Sequence, residues 1–473
     1  MVTTQAAPVG AAESVLSPVR RARMSDRVSG LRGSEALLRM FSTLVSAQFI
    51  TALFGLAYWA AAARFLPADQ VGLAATAVSS MILVSLFGTL GMTTHLIADL
   101  RICHPADRRL RLFTGHAVAF VGGGVLALGW ALVAPLFGEN FDAVGGSVPV
   151  VALFVLCAAT QTMCDSFDGS VLGLQRGNAQ LVRNAIASGS KLALVPLLVL
   201  TGHRTGVALM GTWVVGLLIS LPTSYGMLKL SLGNPLAVPT ASRSVWLRGA
   251  IPSALRHHSL NVALASSGLL LPVVVAVTVP ADDVAYFSTA RFIFAAVVAV
   301  PFMLTVSLYA SVASRPELLR EKLRHTVPIG LGVSLVMFVV LVPGAPILLR
   351  VFGGDYASEG AMALRLLVLG GIPMVIKDHY VVIRRTQNRM GPALMVVVVG
   401  TVAEILAAGF AGALWGLNAL CLAWLGVLIL EGLFVLPAVR RTMITPATPI
   451  GAAASAEPLS AATATAPAAT SAA

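Results

Sequence analysis

The chain has 473 residues, is 57% hydrophobic and only 11% charged, and has a mean hydropathy of +0.87. A soluble domain carries roughly 25% charged residues, so this composition excludes an ordinary soluble globular protein and predicts an integral membrane one. The 32 Lys and Arg against 20 Asp and Glu would point to nucleic acid in a soluble chain; here they read as the basic surplus that orients a membrane protein, and no nucleic-acid partner is expected.

In chain order, residues 1–33 are polar and Arg-rich without an apolar stretch, and are expected to form a disordered basic cytoplasmic arm rather than a cleaved signal peptide. Apolar runs of about 20 residues cross ~30 Å of hydrocarbon. Twelve such helices are predicted, near 40–64, 71–98, 112–137, 147–174, 179–201, 205–228, 251–278, 284–310, 326–348, 360–380, 391–412 and 416–438. They divide into a six-helix lobe over 34–229, a cytoplasmic linker over 230–249 and a second six-helix lobe over 250–441. The Ala/Thr/Pro/Ser tail over 442–473 cannot bury enough surface to offset its ordering entropy and is expected to be disordered.

The connectors alternate in charge. Even-numbered ones carry Arg101, Arg108, Arg109 and Arg111, then Arg176 and Arg183, and later Lys377, Arg384, Arg385 and Arg389; odd ones carry only Arg64, Arg204 and Arg350 and lean acidic. This contrast predicts even connectors and both termini on the cytoplasmic side.

A phrase is written twice. LPADQV at 66–71 returns as VPADDV at 279–284, with Pro67 and Pro280 213 residues apart. QRGNAQL (175–181) echoes QNRMGPAL (387–394), Gln175 and Gln387 lying 212 apart. The expected fold is therefore all-α and polytopic, two parallel six-helix repeats about a central cleft, related by an axis along the membrane normal. Each phrase reads as an outer hairpin, with Pro opening the next helix and acids at its positive N-terminus. The outer connectors are too short to hold a catalytic platform, so no enzymatic activity and no catalytic residue are expected. The cysteines (Cys103, Cys157, Cys164, Cys421) show no C-x-x-C and no His at metal spacing, so no disulfide, metal site or cofactor is expected.

AARFLPADQVGLAATAVSSMILVSLFGTLG (62–91), LLLPVVVAVTVPADDVAYFSTARFIFAAV (269–297) and VFGGDYASEGAMALRLLVLGGIP (351–373) resemble bacterial polysaccharide-export proteins, the O-antigen flippase-like branch of the multidrug/oligosaccharidyl-lipid/polysaccharide (MOP) transporter superfamily. The resemblance implies a multi-pass protein of the bacterial plasma membrane that flips undecaprenyl-pyrophosphate-linked oligosaccharide by alternating access. Its implied partners are that substrate, the lipid bilayer and a polysaccharide polymerase. The alternative within the superfamily is a cation-coupled exporter of drugs or small amphiphiles.

Ionisable groups at bilayer depth each need a partner or a wet cavity. Arg256, His257 and His258 on helix seven and Arg291 on helix eight are candidate substrate-binding residues, since fixed guanidiniums can replace the hydration of a pyrophosphate head. The structural alternative has Arg256 snorkelling to headgroups, Arg291 pairing with an outer acid and the histidines at a helix end. Asp165 and Asp168, three apart on one face of helix four, are expected to pair with Lys191 and Arg183 of helix five, with ion coupling as the alternative. Lys191 and Glu404, 213 apart, place opposite charges at equivalent positions and form either a gate across the cleft or two local pairs. Glu431 is expected at the inner interface.

Overall fold

A computed structural model describes residues 52–232, 238–240, 242–312, 316–387 and 389–444; the expectations for 1–33, for the start of the first helix and for most of the tail lie outside these residues. The helices are α1 (Ala52–Phe65), α2 (Ala68–Gly88), α3 (Met92–Ile102), α4 (Arg108–Val133), α5 (Asp142–Gly145), α6 (Val148–Gly173), α7 (Gly177–Leu200) and α8 (Gly206–Leu228). After them come α9 (Arg243–Thr278), α10 (Ala281–Val312), α11 (Leu319–Leu349), α12 (Gly354–Thr386), α13 (Met390–Trp415) and α14 (Leu417–Ile444). With α2 and α3 sharing one crossing and the short α5 lying in a connector, these make twelve membrane crossings, six in each lobe.

The repeat is structural. Helices α2 and α10 start 213 residues apart, α6 and α12 end 213 apart, and α7 and α13 start 213 apart. Packing repeats as well: α4 lies on α6 as α11 lies on α12, and α7 on α8 as α13 on α14. Residues such as Phe434 and Leu430 turn 75% and 67% of their surface outward. In a bilayer those faces meet lipid, while Ala and Gly let backbones approach inside.

Helix two, predicted as one run over 71–98, is broken. Leu90 and Gly91 have φ of 47° and 78°, and α3 starts again at Met92. A Cβ on Gly91 would stand 2.2 Å from the Ala254 carbonyl oxygen of α9, so the chain reverses hand where only glycine fits. The apolar letters on both sides of the break gave hydropathy nothing to detect.

Helix α9 begins at Arg243, eight residues before the predicted 251, because Ser242 caps it by accepting from the Val245 N–H. Its first turns pack on the N-terminal lobe. The Trp246 indole N–H donates to Asp99 of α3, which also pairs with Arg111 at 2.6 Å. The preceding linker is pinned too, since Thr240 donates to Asp107 through both N–H and hydroxyl, and Arg108 and Arg176 donate to Ser231. Lys377, counted above with the basic connectors, lies instead inside α12, nine residues before its end.

Candidate functional site

The two lobes meet most closely at the face that carries the Pro-Ala-Asp hairpins. A Cβ on Gly72 of α2 would overlap the Ala281 carbonyl of α10, which leaves hydrogen as the tolerated side chain there. Arg64 donates through Nε to the Val351 carbonyl (2.8 Å) and through Nη2 to that of Arg350. Asn140 donates through Nδ2 to the carbonyls of Ala276 (2.8 Å) and Val279 (2.7 Å). All four acceptors sit at the C-terminal ends of α11 and α9, where carbonyls lack intrahelical partners and the dipole is negative. The hairpin face is thus latched shut by two N-lobe side chains capping C-lobe helices.

Further from the hairpin face, Arg291 of α10 lies about 15 Å from the start of its helix at 1.5 Å per residue. It is half-buried and donates through Nη2 to the Gly268 carbonyl of α9 (2.5 Å), and it makes no ion pair among the described residues. That carbonyl is free for a definite reason: its helical donor would be the N–H of residue 272, which is proline. Arg365 repeats the device on α12, donating through Nε to the Val342 carbonyl (3.0 Å) that Pro346 leaves open. The outer acid that the structural alternative gave Arg291 is not its partner among the described residues, where a backbone oxygen stands instead. Among the described residues one of its five guanidinium N–H donors is used and no carboxylate meets its charge. The neighbouring Phe292 reaches across to α1, where a Cβ on Gly55 would stand 2.7 Å from its ring.

The backbones of Arg256 and His257 belong to α9, and their side chains lie outside the described residues. His258 is half-buried against the α2–α3 break and hydrogen-bonds the main chain at Phe87.

In the N-terminal lobe, Arg183 grips Asp168 with a forked contact, Nε to Oδ1 at 3.0 Å and Nη2 to Oδ2 at 2.7 Å. Asp165 does not meet Lys191. It accepts instead from Ser85 of α2 (2.9 Å) and from Gln161 one turn earlier on α6 (2.7 Å). Lys191 turns to the face of Trp213, its Nζ 3.5 Å from the ring centroid, a cation–π contact within a patch that also holds Tyr58. Spacing gave the depth of Lys191 correctly but could not indicate an aromatic partner on the next helix.

In the C-terminal lobe, Glu404 does not face Lys191 either. It accepts from Lys377 (2.8 Å) and from the Trp424 indole (3.2 Å), and Lys377 also reaches Glu431 at 2.5 Å. Of the two arrangements open for Lys191 and Glu404, the contacts are local to each lobe, and the expected Asp165–Lys191 pair is corrected to Asp165 with Ser85 and Gln161. Next to Lys377, Asp378 lines a cavity of about 250 Å³ between α10 and α12 whose other lining residues, among them Val298 and Phe302, are apolar.

Solved structures share the fold of this chain. A multidrug-resistance MATE transporter of the MOP superfamily in an inward-facing conformation matches over 84% of this chain and 96% of its own, with 14% identity and a TM-score of 0.64. The chain has the fold of the MOP superfamily. The lipid II flippase MurJ, in an inward closed conformation, matches over 84% of this chain and 87% of its own at 12% identity and a TM-score of 0.62. An outward-facing MATE conformation matches over 87% and 96%, at 14% identity and a TM-score of 0.55. No family model and no curated protein matches the sequence.

Within this MOP fold, the residues that the sequence left unread are Trp213, Trp424 and Asp378, while Lys377 was read only as a connector charge. One signal was available: Asp378 lies 213 residues after Asp165, the interval that relates the hairpins. His116 was missed without any signal; it is buried in α4 between Tyr225 (2.6 Å) and Ser170 (2.9 Å).

Proposed function

We propose that this chain moves a lipid-linked oligosaccharide across the bacterial plasma membrane, with the linker face cytoplasmic and the hairpin face outside, and that Arg291 holds the anionic head in the seam. The observation that carries the reading is Arg291 itself, a guanidinium at mid-membrane depth with no carboxylate partner among the described residues and most of its donors free. A fixed cation so placed substitutes for the water that a pyrophosphate must leave behind, and a forked donor suits phosphate oxygens. The latch at the hairpin face supports a conformation open toward the cytoplasm, in keeping with the better match to an inward-facing relative. Arg256 is proposed as the second cationic contact, with His257 and His258 flanking it.

The test uses proteoliposomes loaded with fluorescent polyprenyl-pyrophosphate oligosaccharide, scoring how much label becomes accessible from the far side. Arg291→Gln keeps a donor for the Gly268 carbonyl and removes the charge, so its combination with Arg256→Gln should lower flipping at least tenfold while the protein stays monodisperse. Wild-type flipping by that double variant overturns the assignment.

A second reading, a cation-coupled exporter of amphiphiles, draws on Asp378. A carboxylate in an otherwise apolar cavity is a place where a proton or a cation would matter. Dye efflux driven by a sodium or proton gradient, and lost in Asp378→Asn, would favour it over the first.

A further inference from the structure

Beside the α2–α3 break, the N-terminal lobe carries a second cavity, of about 580 Å³. One wall is a single face of α4 from Phe113 through Val121 to Leu126, and the other is Leu90 of the break and Leu247 of α9. Along α4 the wall runs over residues 113–126, about 20 Å at 1.5 Å per residue. That slightly exceeds one leaflet, about half of a ~30 Å hydrocarbon core. The groove is open to the surroundings of the protein: Phe113 is 48% and Val121 60% exposed.

An apolar trough in a membrane protein is covered by lipid in some form, and what singles this one out is its charged mouth. Arg243, at the first turn of α9, lines the linker-face end. Arg109 sits one helical turn before Phe113 on the same α4 face, and its Nε has no hydrogen-bond partner among the described residues. Inside the trough, Thr114 is 5% exposed, and its hydroxyl likewise has no partner among the described residues. A buried hydroxyl in such a position is normally satisfied. Several other Thr and Ser in this chain bond the carbonyl one turn back, as Thr160 and Thr162 do. One guanidinium lining the mouth, a second one turn before the trough on α4, and an apolar channel of chain length above a buried, unpartnered hydroxyl are complementary to one kind of molecule.

We infer that this groove is a binding site for one anionic phospholipid of the linker-face leaflet, its phosphate held by Arg243 and Arg109 and one acyl chain lying along α4. The site is separate from the Arg291 seam, so it stands whichever substrate the protein carries. Because the trough ends against the Leu90–Gly91 break and α9, the bound chain braces the place where the two lobes are joined by helix α9.

The experiment places the full-length protein in nanodiscs containing phosphatidylglycerol or phosphatidylcholine, each with a trace of the same lipid bearing a photoactivatable acyl chain, and maps the adducts by peptide mass spectrometry. Phosphatidylglycerol adducts are expected on the α4 face between Phe113 and Leu126 at least fivefold above the phosphatidylcholine level. They should fall to that level in Arg109→Gln/Arg243→Gln. Leu126→Trp, which fills the trough without touching the cations, should shift adducts away from α4, and it serves as the second variant should the double one fail to fold. Equal labelling by both lipids, labelling spread evenly over all lipid-facing helices, or a trough closed off by a second copy of the chain would each overturn the proposal.

Discussion

Lys191 and Glu404 occupy the same place in the two lobes and carry opposite charges, yet each rests on a tryptophan of the following helix. Lys191 lies over the π face of Trp213, and Glu404 accepts from the indole N–H of Trp424. The N-terminal lobe gathers two acids, Asp165 and Asp168, with two bases, Arg183 and Lys191. The C-terminal lobe gathers three acids, Glu404, Glu431 and Asp378, around the single base Lys377. Duplication has kept depth and aromatic support while inverting the sign. The cluster of one lobe is formally balanced, whereas that of the other sets three acids against one base, with Arg291 and Arg365 held on backbone carbonyls of the same lobe.

The most severe way to break this comparison is to copy one lobe into the other. Glu404→Lys puts a second ammonium beside Lys377, and we expect it to cost more than the ~3–5 kcal/mol typical of stranding a buried charge. Fluorescence-detected size exclusion should then show almost no monodisperse protein. Lys377→Met leaves two carboxylates facing one another and should cost about 3–5 kcal/mol. Adding Glu404→Gln and Glu431→Gln to it should recover most of the lost Tm, and a triple variant no better than the single one would count against the triad as a charge unit.

In the balanced lobe the effects are expected to be smaller. Arg183→Leu strands Asp168, whose side chain keeps 21% of its exposure, so about 2 kcal/mol is expected, largely restored by adding Asp168→Asn. Lys191→Met should change stability by less than about 1 kcal/mol, because losing a desolvated cation–π contact of about 2 kcal/mol is offset by no longer burying an ammonium. Thermal melts in one detergent rank all of these, and a Lys191→Met loss as large as that of Lys377→Met would erase the contrast between the lobes.

The sequence reading reached the helix count and the 213-residue repeat because both rest on periodic, one-dimensional signals: apolar runs long enough to span, and a twice-written turn. It missed the break at Leu90–Gly91, since a handedness reversal between apolar residues leaves no trace in hydropathy. Pair assignment failed in proportion to its dependence on the third dimension. Asp168 and Arg183 come together as adjacent-helix spacing implied, whereas Asp165 found Ser85 on a helix eighty residues away. The roles of Arg291 and Arg365 were within reach: a proline silences the donor for the carbonyl four residues earlier, and a nearby arginine is a natural substitute. The direction in which each arginine points is nonetheless a property of the packed bundle.

The latch at the hairpin face has a consequence for how chains of this fold diverge. Arg64 and Asn140 are anchored to main-chain oxygens, and every residue type supplies one. The loops that receive them are free to exchange side chains without weakening the closure, provided the helix ends stay where they are. Searches for correlated substitutions would pass over this contact, although it joins the two halves of the molecule.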